Sequence, residues 1–258
     1  MTDLQMLNLI VACALFVLGA CFGSFINVVA LRLPKKKSFV GGRSSCTACG
    51  KLLKFYELFP LVSWLVQLGR CRGCGVKVSL RYIIVEIICG FLFVVSFVFY
   101  GFSFMTVICI AVACILLTIS LIDFDTTEIP DGLNIALVPL AIASVFFQPD
   151  ITILSHVIGF FAVSVPMIVM ILIVDGAFGF GDVKLIAVCG FMLGWQNTVF
   201  AFFVAVLIGG SFAVYLLARG KRKRKEHMVF GPALCIGIFS ALLFGNYVVK
   251  WYIGFLMF

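Results

Sequence analysis

Long apolar runs broken by short polar stretches organise this chain. A helix needs about 20 apolar residues to cross the hydrocarbon core of a bilayer. The runs predict helices at residues 6–33, 82–100, 104–122, 133–147, 153–174, 183–195, 198–217 and 230–255. The breaks are a polar loop over 34–81, then Ile129-Pro130-Asp131-Gly132, then Gln148-Pro149-Asp150. Pro and Gly punctuate helical patterns. The sixth helix is short. Its thirteen residues reach about 20 Å at 1.5 Å each, against a core of about 30 Å. The first run is not read as a removable signal peptide. It has no basic start, it is too long, and no small-residue cleavage site ends it.

Composition turns this pattern into a class. The chain is 64% hydrophobic and 12% charged, with a mean hydropathy of +1.24, far above soluble domains. The expected fold is an all-α polytopic membrane protein, with about eight transmembrane helices and a cytoplasmic four-Cys zinc-binding loop. Three regions follow: a first transmembrane helix at 1–33, the zinc-binding loop at 34–81, and a transmembrane core at 82–258.

The formal charge of +8 is local. Eleven of the nineteen Lys and Arg lie from Arg32 to Arg81, and six more are Arg219, Lys221, Arg222, Lys223, Arg224 and Lys225. Positive loops stay in the cytoplasm, so both are placed there. Eight spans then put both termini outside, with Lys250 alone near the outer face. A re-entrant sixth helix would move the second cluster outside, so a short true span is preferred. The charge reports orientation in the bilayer, and no nucleic-acid partner is expected.

This orientation gathers acids. Asp123, Asp125, Glu128, Asp131, Asp175 and Asp182, six of the eleven, fall near the cytoplasmic ends of the third and fifth helices. Asp182 stands in Gly179-Phe180-Gly181-Asp182-Val183-Lys184, between two apolar runs. An ionisable group there is costly unless it is paired, wetted or functional. Gly179 and Gly181 let backbone or substrate approach the carboxylate. A Gly-rich turn with a solvated acid is the plainer reading of those six residues. The clustering of acids favours a site instead.

Cys46-Thr47-Ala48-Cys49 and Cys71-Arg72-Gly73-Cys74 are two CxxC knuckles with 21 residues between them. Four thiolates at this spacing suit one tetrahedral zinc with no open position, hence a structural one. Unmetallated or redox thiols are the other reading, and a reducing cytoplasm disfavours disulfides. The other cysteines lie in apolar runs as small core residues. Between the knuckles, residues 58–66 are apolar but too short to span. They are either the core of the cysteine module or a segment lying on the membrane surface.

Several polar groups lie among apolar ones. Asn27, after Gly23-Ser24, is placed to bond across helices. Glu86 lies one turn inside the second helix, either paired with Arg81 or Arg32 or in contact with substrate. Phe230-Gly231-Pro232 opens the eighth helix, where Pro is tolerated. His156 is far from the acids, and His227 lies in the basic loop. Neither is expected to act in catalysis.

The motifs exclude some chemistries. There is no His-Glu-x-x-His for a zinc protease and no Gly-x-Ser-Gly for a serine protease. The acids remain. Two carboxylates at one site share a proton, so one serves as general base and the other as acid. Asp182, at the start of the sixth helix, is expected to be the more acidic of such a pair, because the helix dipole favours negative charge there.

The chain resembles the type IV prepilin peptidases, GxGD intramembrane aspartyl proteases. The resemblance rests on Gly23-Ser24-Phe25-Ile26-Asn27-Val28 with Arg32-Leu33-Pro34, both CxxC pairs, and Ser79-Leu80-Arg81-Tyr82 with Glu86. It continues through Ile122-Asp123, Ile129-Pro130-Asp131, Phe178-Gly179-Phe180-Gly181-Asp182-Val183-Lys184-Leu185 and Phe230-Gly231-Pro232. It implies that Asp182 pairs with Asp123 as the catalytic acids, with Asp125 two residues on as the other candidate. It also implies removal of the basic leader from type IV prepilins and pseudopilins, after a Gly. N-methylation of the new terminus by S-adenosylmethionine follows in many members. Such a leader would be drawn to Asp125, Glu128 and Asp131, and Glu86 is a further candidate for contact with it. The implied location is the bacterial cytoplasmic (inner) membrane. A competing class is an ion- or proton-coupled transporter that uses the same acids. A membrane anchor carrying a zinc module is a third, and it leaves the acids unexplained.

Overall fold

A computed structural model describes residues 3–38, 45–46, 48–174, 176, 178–219 and 229–256. Asp175, the cations at 221–225 and His227 lie outside the described residues. The chain divides into two compact units, Met1–Phe102 and Ser103–Phe258.

The first unit pairs two long helices, α1 (Asp3–Arg32) and α3 (Leu80–Tyr100), joined by a loop that holds a 3-10 turn (Phe55–Leu58) and the short α2 (Val62–Val66). Small residues bring α1 and α3 together. A Cβ on Gly19 would lie 2.8 Å from the Cys89 carbonyl oxygen, and one on Gly23 would lie 2.8 Å from the Glu86 Cα. Such contacts replace the hydrophobic effect, which does not drive helices together in lipid. Asn27 adds a polar tie, donating from Nδ2 to the Tyr82 carbonyl at 3.4 Å. Ser79 caps α3 by accepting the Arg81 N–H.

In the second unit α4 (Phe104–Thr126), α5 (Asp131–Phe146), α6 (Ile153–Ala162), α7 (Ser164–Ile173), α8 (Phe180–Leu193), α9 (Trp195–Ala218) and α10 (Gly231–Leu256) follow in order. α8 is the centre, packing against α5, α6, α7, α9 and α10. Its Leu185, Ile186, Cys189 and Met192 are buried, while outward apolar residues such as Leu172, Phe203 and Trp251 are exposed. An apolar exterior around a tight interior is what a lipid solvent demands. Where α6 crosses α8, a Cβ on Gly159 would strike the Gly190 carbonyl.

Among the described residues, six segments are long and apolar enough to cross a membrane: Gln5–Arg32, Leu80–Tyr100, Phe104–Thr126, Ile153–Ile173, Trp195–Ala218 and Gly231–Phe255. α5, with 16 residues, and α8, with 14, are shorter. The fifth predicted helix is interrupted. α6 ends at Ala162 and α7 begins at Ser164, because Pro166 has no N–H to give the Ala162 carbonyl and its ring crowds that oxygen. The predicted third and sixth helices are also longer than the pattern suggested. α4 runs on through Thr126, and α8 begins at Phe180. Both changes carry acids into helical turns.

Residues 58–66 do not form the core of the cysteine module. Leu58, Phe59, Val62, Leu65 and Val66 are all exposed.

Candidate functional site

Asp123 sits in the last turn of α4. Thr127 ends that helix in the left-handed region, at φ 56°, with its N–H on the Asp123 carbonyl. The Asp123 side chain is only 6% exposed. Its Oδ2 accepts the backbone N–H of Gly231 at 2.9 Å. Gly231 is the first residue of α10, and a Cβ there would lie 2.6 Å from the same oxygen. Sequence reasoning took Phe230-Gly231-Pro232 as a helix start and as part of the resemblance, and linked it to no acid. The available signal was a glycine at a position where side chains are normally tolerated.

Asp182 is the third residue of α8 and is 8% exposed. It closes its own helix end, with Oδ2 accepting the N–H of the N-cap Gly179 at 3.2 Å. Its Oδ1 is buried and has no protein partner. Gly181 brings this turn against the α4–α5 connection, since a Cβ there would lie 2.8 Å from Ile129 Cβ. Lys184 ties the same two elements with a 2.7 Å ion pair to Asp131, both partners well exposed. The carboxylates of Asp123 and Asp182 are electrostatic neighbours. The buried Cys235 of α10 lies within electrostatic range of both.

The other predicted acids are elsewhere. Asp125 and Glu128 are exposed, and Asp131 is held by Lys184. In the first unit, Glu86 is buried and accepts the Leu61 backbone N–H at 2.8 Å. This contact anchors residues 58–66 beside the start of α3. The Ser24 hydroxyl faces the same carboxylate. His156 is fully buried, with Nδ1–H donating to the Phe191 carbonyl at 2.8 Å.

The four cysteines of the loop converge. The sulfurs of Cys46, Cys49, Cys71 and Cys74 all lie within 4.8 Å of one another, and Cys46 and Cys74 are 3.9 Å apart. Zinc at about 2.3 Å from each sulfur separates them by about 3.8 Å, so the set fits one tetrahedral ion. The knuckles are built alike. Gly50 and Gly75 donate to the carbonyls of Cys46 and Cys71 at 2.9 and 2.8 Å. Both glycines have positive φ, 70° and 72°, which closes each turn without strain. Backbone N–H groups of Cys49 and Ala48 pull the Cys46 thiol down to about 6, while at Cys74 the Val76 N–H is outweighed by burial and the neighbouring thiols, which push the thiol up to about 11, so these thiols hold their protons as a set. Glu57 steadies the loop, accepting the Lys54 N–H at 2.8 Å and pairing with Lys51 at 3.3 Å.

Known proteins match both units. The Bacterial Peptidase A24 N-terminal domain matches residues 17–100, and the Type IV leader peptidase family matches residues 110–214. A prepilin leader peptidase/N-methyltransferase of Bacillus subtilis is 30% identical over 239 residues, covering 93% of this chain and 96% of the relative. This chain belongs to the type IV leader peptidase family. Similar relatives of the same name occur in Myxococcus xanthus and Stutzerimonas stutzeri. The first is 34% identical over 228 residues, with 85% of this chain and 68% of the relative covered. The second is 30% identical over 273 residues, with 95% and 94% covered. No solved structure matches significantly. The leader peptidase match contains Asp123, Asp182 and the α4–α5 connection, and the N-terminal match contains all four cysteines.

Proposed function

We propose that this protein is an intramembrane aspartyl endopeptidase that removes the basic leader from type IV prepilins and pseudopilins after a Gly. Asp123 and Asp182 are its catalytic pair. The observation that carries this reading is two buried carboxylates from different helices within electrostatic range of each other, each held by a glycine N–H. Such a pair shares a proton. The ionised member takes a proton from water, and the protonated member donates to the scissile carbonyl oxygen. Asp182 Oδ1 has no protein partner, and buried polar atoms are nearly always hydrogen-bonded. Water is the partner it takes before substrate arrives. Both polar atoms of Asn134, in the first turn of α5, are also buried and unpaired. The helix-dipole argument does not single out Asp182, because the start of α10 faces Asp123 in the same way.

In this reading the catalytic pair lies near the cytoplasmic face of the bacterial inner membrane, with both termini outside. The leader meets the exposed Asp125 and Glu128. Residues 58–66 lie in the membrane surface, held at that depth by the Leu61–Glu86 contact. Cys46, Cys49, Cys71 and Cys74 hold one structural zinc, which closes the loop and leaves no ligand position for catalysis. Methylation of the new amine by S-adenosylmethionine rests on the family alone. A cavity of ≈ 310 Å³ lined by Asp150, Ser155, Asn246 and Lys250 does not fit that role. It adjoins Leu193 and Gly194, the opposite end of α8 from Asp182. A transporter would place its charges near the middle of the spans, whereas Asp123 and Asp182 stand at helix ends.

The test is leader cleavage of a type IV prepilin by the purified protein in detergent. Asp123→Asn and Asp182→Asn are expected to lose cleavage by at least a thousandfold while remaining folded, and Asp125→Asn to retain it. Normal cleavage by the first two variants overturns the reading.

A further inference from the structure

Two Phe-Gly pairs stand beside the acids. Phe178 precedes Gly179, whose N–H bonds Asp182. Phe230 precedes Gly231, whose N–H bonds Asp123. The two phenyl rings meet edge to face, with centroids 5.3 Å apart and planes at 61°. Phe202 of α9 backs both, at 6.2 Å from Phe178 and 6.3 Å from Phe230.

We infer that Phe178 and Phe230 form an aromatic clasp that sets the spacing of the two carboxylates through the N–H groups of Gly179 and Gly231. They are positioning residues and touch no substrate. The inference rests on the reading of Asp123 and Asp182 as the catalytic pair. Asp182 enters from the start of α8 and Asp123 from the end of α4, so no single helix fixes their separation. Two carboxylates at close range also repel whenever both ionise. A phenyl ring has two rotatable bonds and a preferred edge-to-face partner geometry, so a ring pair resists that spreading better than flexible aliphatic chains. Each ring is one residue from the N–H it steadies. The slack between clasp and carboxylate is therefore one peptide unit, itself planar and stiff. Gly231 makes the linkage close, because any side chain there would meet the Asp123 carboxylate.

Simple packing makes a different prediction. Rings that only fill space contribute stability, and their losses are independent of the chemistry. The experiment measures kcat and KM for prepilin cleavage with Phe178→Leu, Phe230→Leu and the double variant in the full-length protein. Phe178→Tyr keeps a ring, and Asp182→Asn runs beside them. Thermal unfolding is followed for each. The expected result is a loss in kcat of about tenfold for each Leu variant, with KM within about twofold. The double variant is expected to lose about tenfold as well, because one clasp breaks only once. Phe178→Tyr is expected to cleave within about threefold of wild type. The clasp is overturned if the double loses about a hundredfold, the product of independent effects. It is also overturned if the Leu variants lose stability with kcat unchanged. If Asp182→Asn itself still cleaves, the catalytic pair is wrong and the clasp falls with it. A dead Asp182→Asn beside fully active Leu variants removes the clasp alone.

Discussion

Gly181 shows how one missing side chain sets a site. The space its Cβ would occupy is taken by Ile129, so the first turn of α8 lies directly on the α4–α5 connection. Gly181→Ala forces one of the two to move, and overpacking of this kind costs about 1–3 kcal/mol. Cleavage is expected to fall at least tenfold. Ile129→Gly in the same chain removes the obstructing Cβ and is expected to restore most of it. A chain that stays inactive with both changes, yet unfolds like wild type, would show that the contact is not what Gly181 serves. Asp123 and Asp125 make the complementary case. Both follow the same apolar run, and spacing alone did not separate them. They fall in the same helix, because α4 continues through Thr126. Two positions along a helix differ by about 200°, so one carboxyl turns inward and the other to solvent.

At the scale of elements, the short helices place the chemistry. α5 and α8 have 16 and 14 residues, about 24 and 21 Å at 1.5 Å each. Both fall short of a hydrocarbon core of about 30 Å. A helix shorter than the bilayer thins it locally, and in the proposed reading this brings water towards the Asp182 end of α8. Lengthening α8 by four residues at its Leu193 end restores the missing turn and sinks that end deeper. Cleavage in lipid nanodiscs is expected to drop at least tenfold while the protein stays folded, with a smaller loss in a thinner bilayer. Equal activity in both thicknesses would argue that helix length is incidental. The interruption between α6 and α7 escaped the hydropathy pattern for a related reason. Pro166 is itself apolar enough to pass unnoticed inside a long run, and its effect is on a backbone hydrogen bond rather than on hydropathy.

For the whole molecule, the proposed zinc makes the two units answer differently to metal. Ligand thiolates assembled by two matching knuckles link zinc binding to the folding of the loop. Chelation is expected to release one zinc per chain and to open residues 45–78 to protease, while the far-UV helix signal of the spans is retained. Cys46→Ser and Cys74→Ser should reproduce the chelated state. A loop that resists protease equally with and without zinc would leave the metal no structural role. Helices in lipid satisfy their own backbone bonds, whereas the loop's 3-10 turn, five-residue helix and isolated bridges rest on a few side-chain contacts such as Glu57 on Lys54 and Glu86 on Leu61.

Linear pattern alone carried the membrane class, the approximate spans, the four sulfurs and the GxGD stretch. Each of these depends on residues close in sequence or on composition, and local hydrophobicity, spacing and turn chemistry act over such distances. The contacts that complete the site join residues far apart. The Gly231 N–H on Asp123, Ile129 against Gly181, Lys184 on Asp131, and the ring of Phe178 against that of Phe230 are set by how α4, α5, α8 and α10 pack. A glycine reads the same in sequence whether it serves a turn, a helix crossing or a carboxylate. Only packing shows which atoms occupy the volume its side chain would have filled.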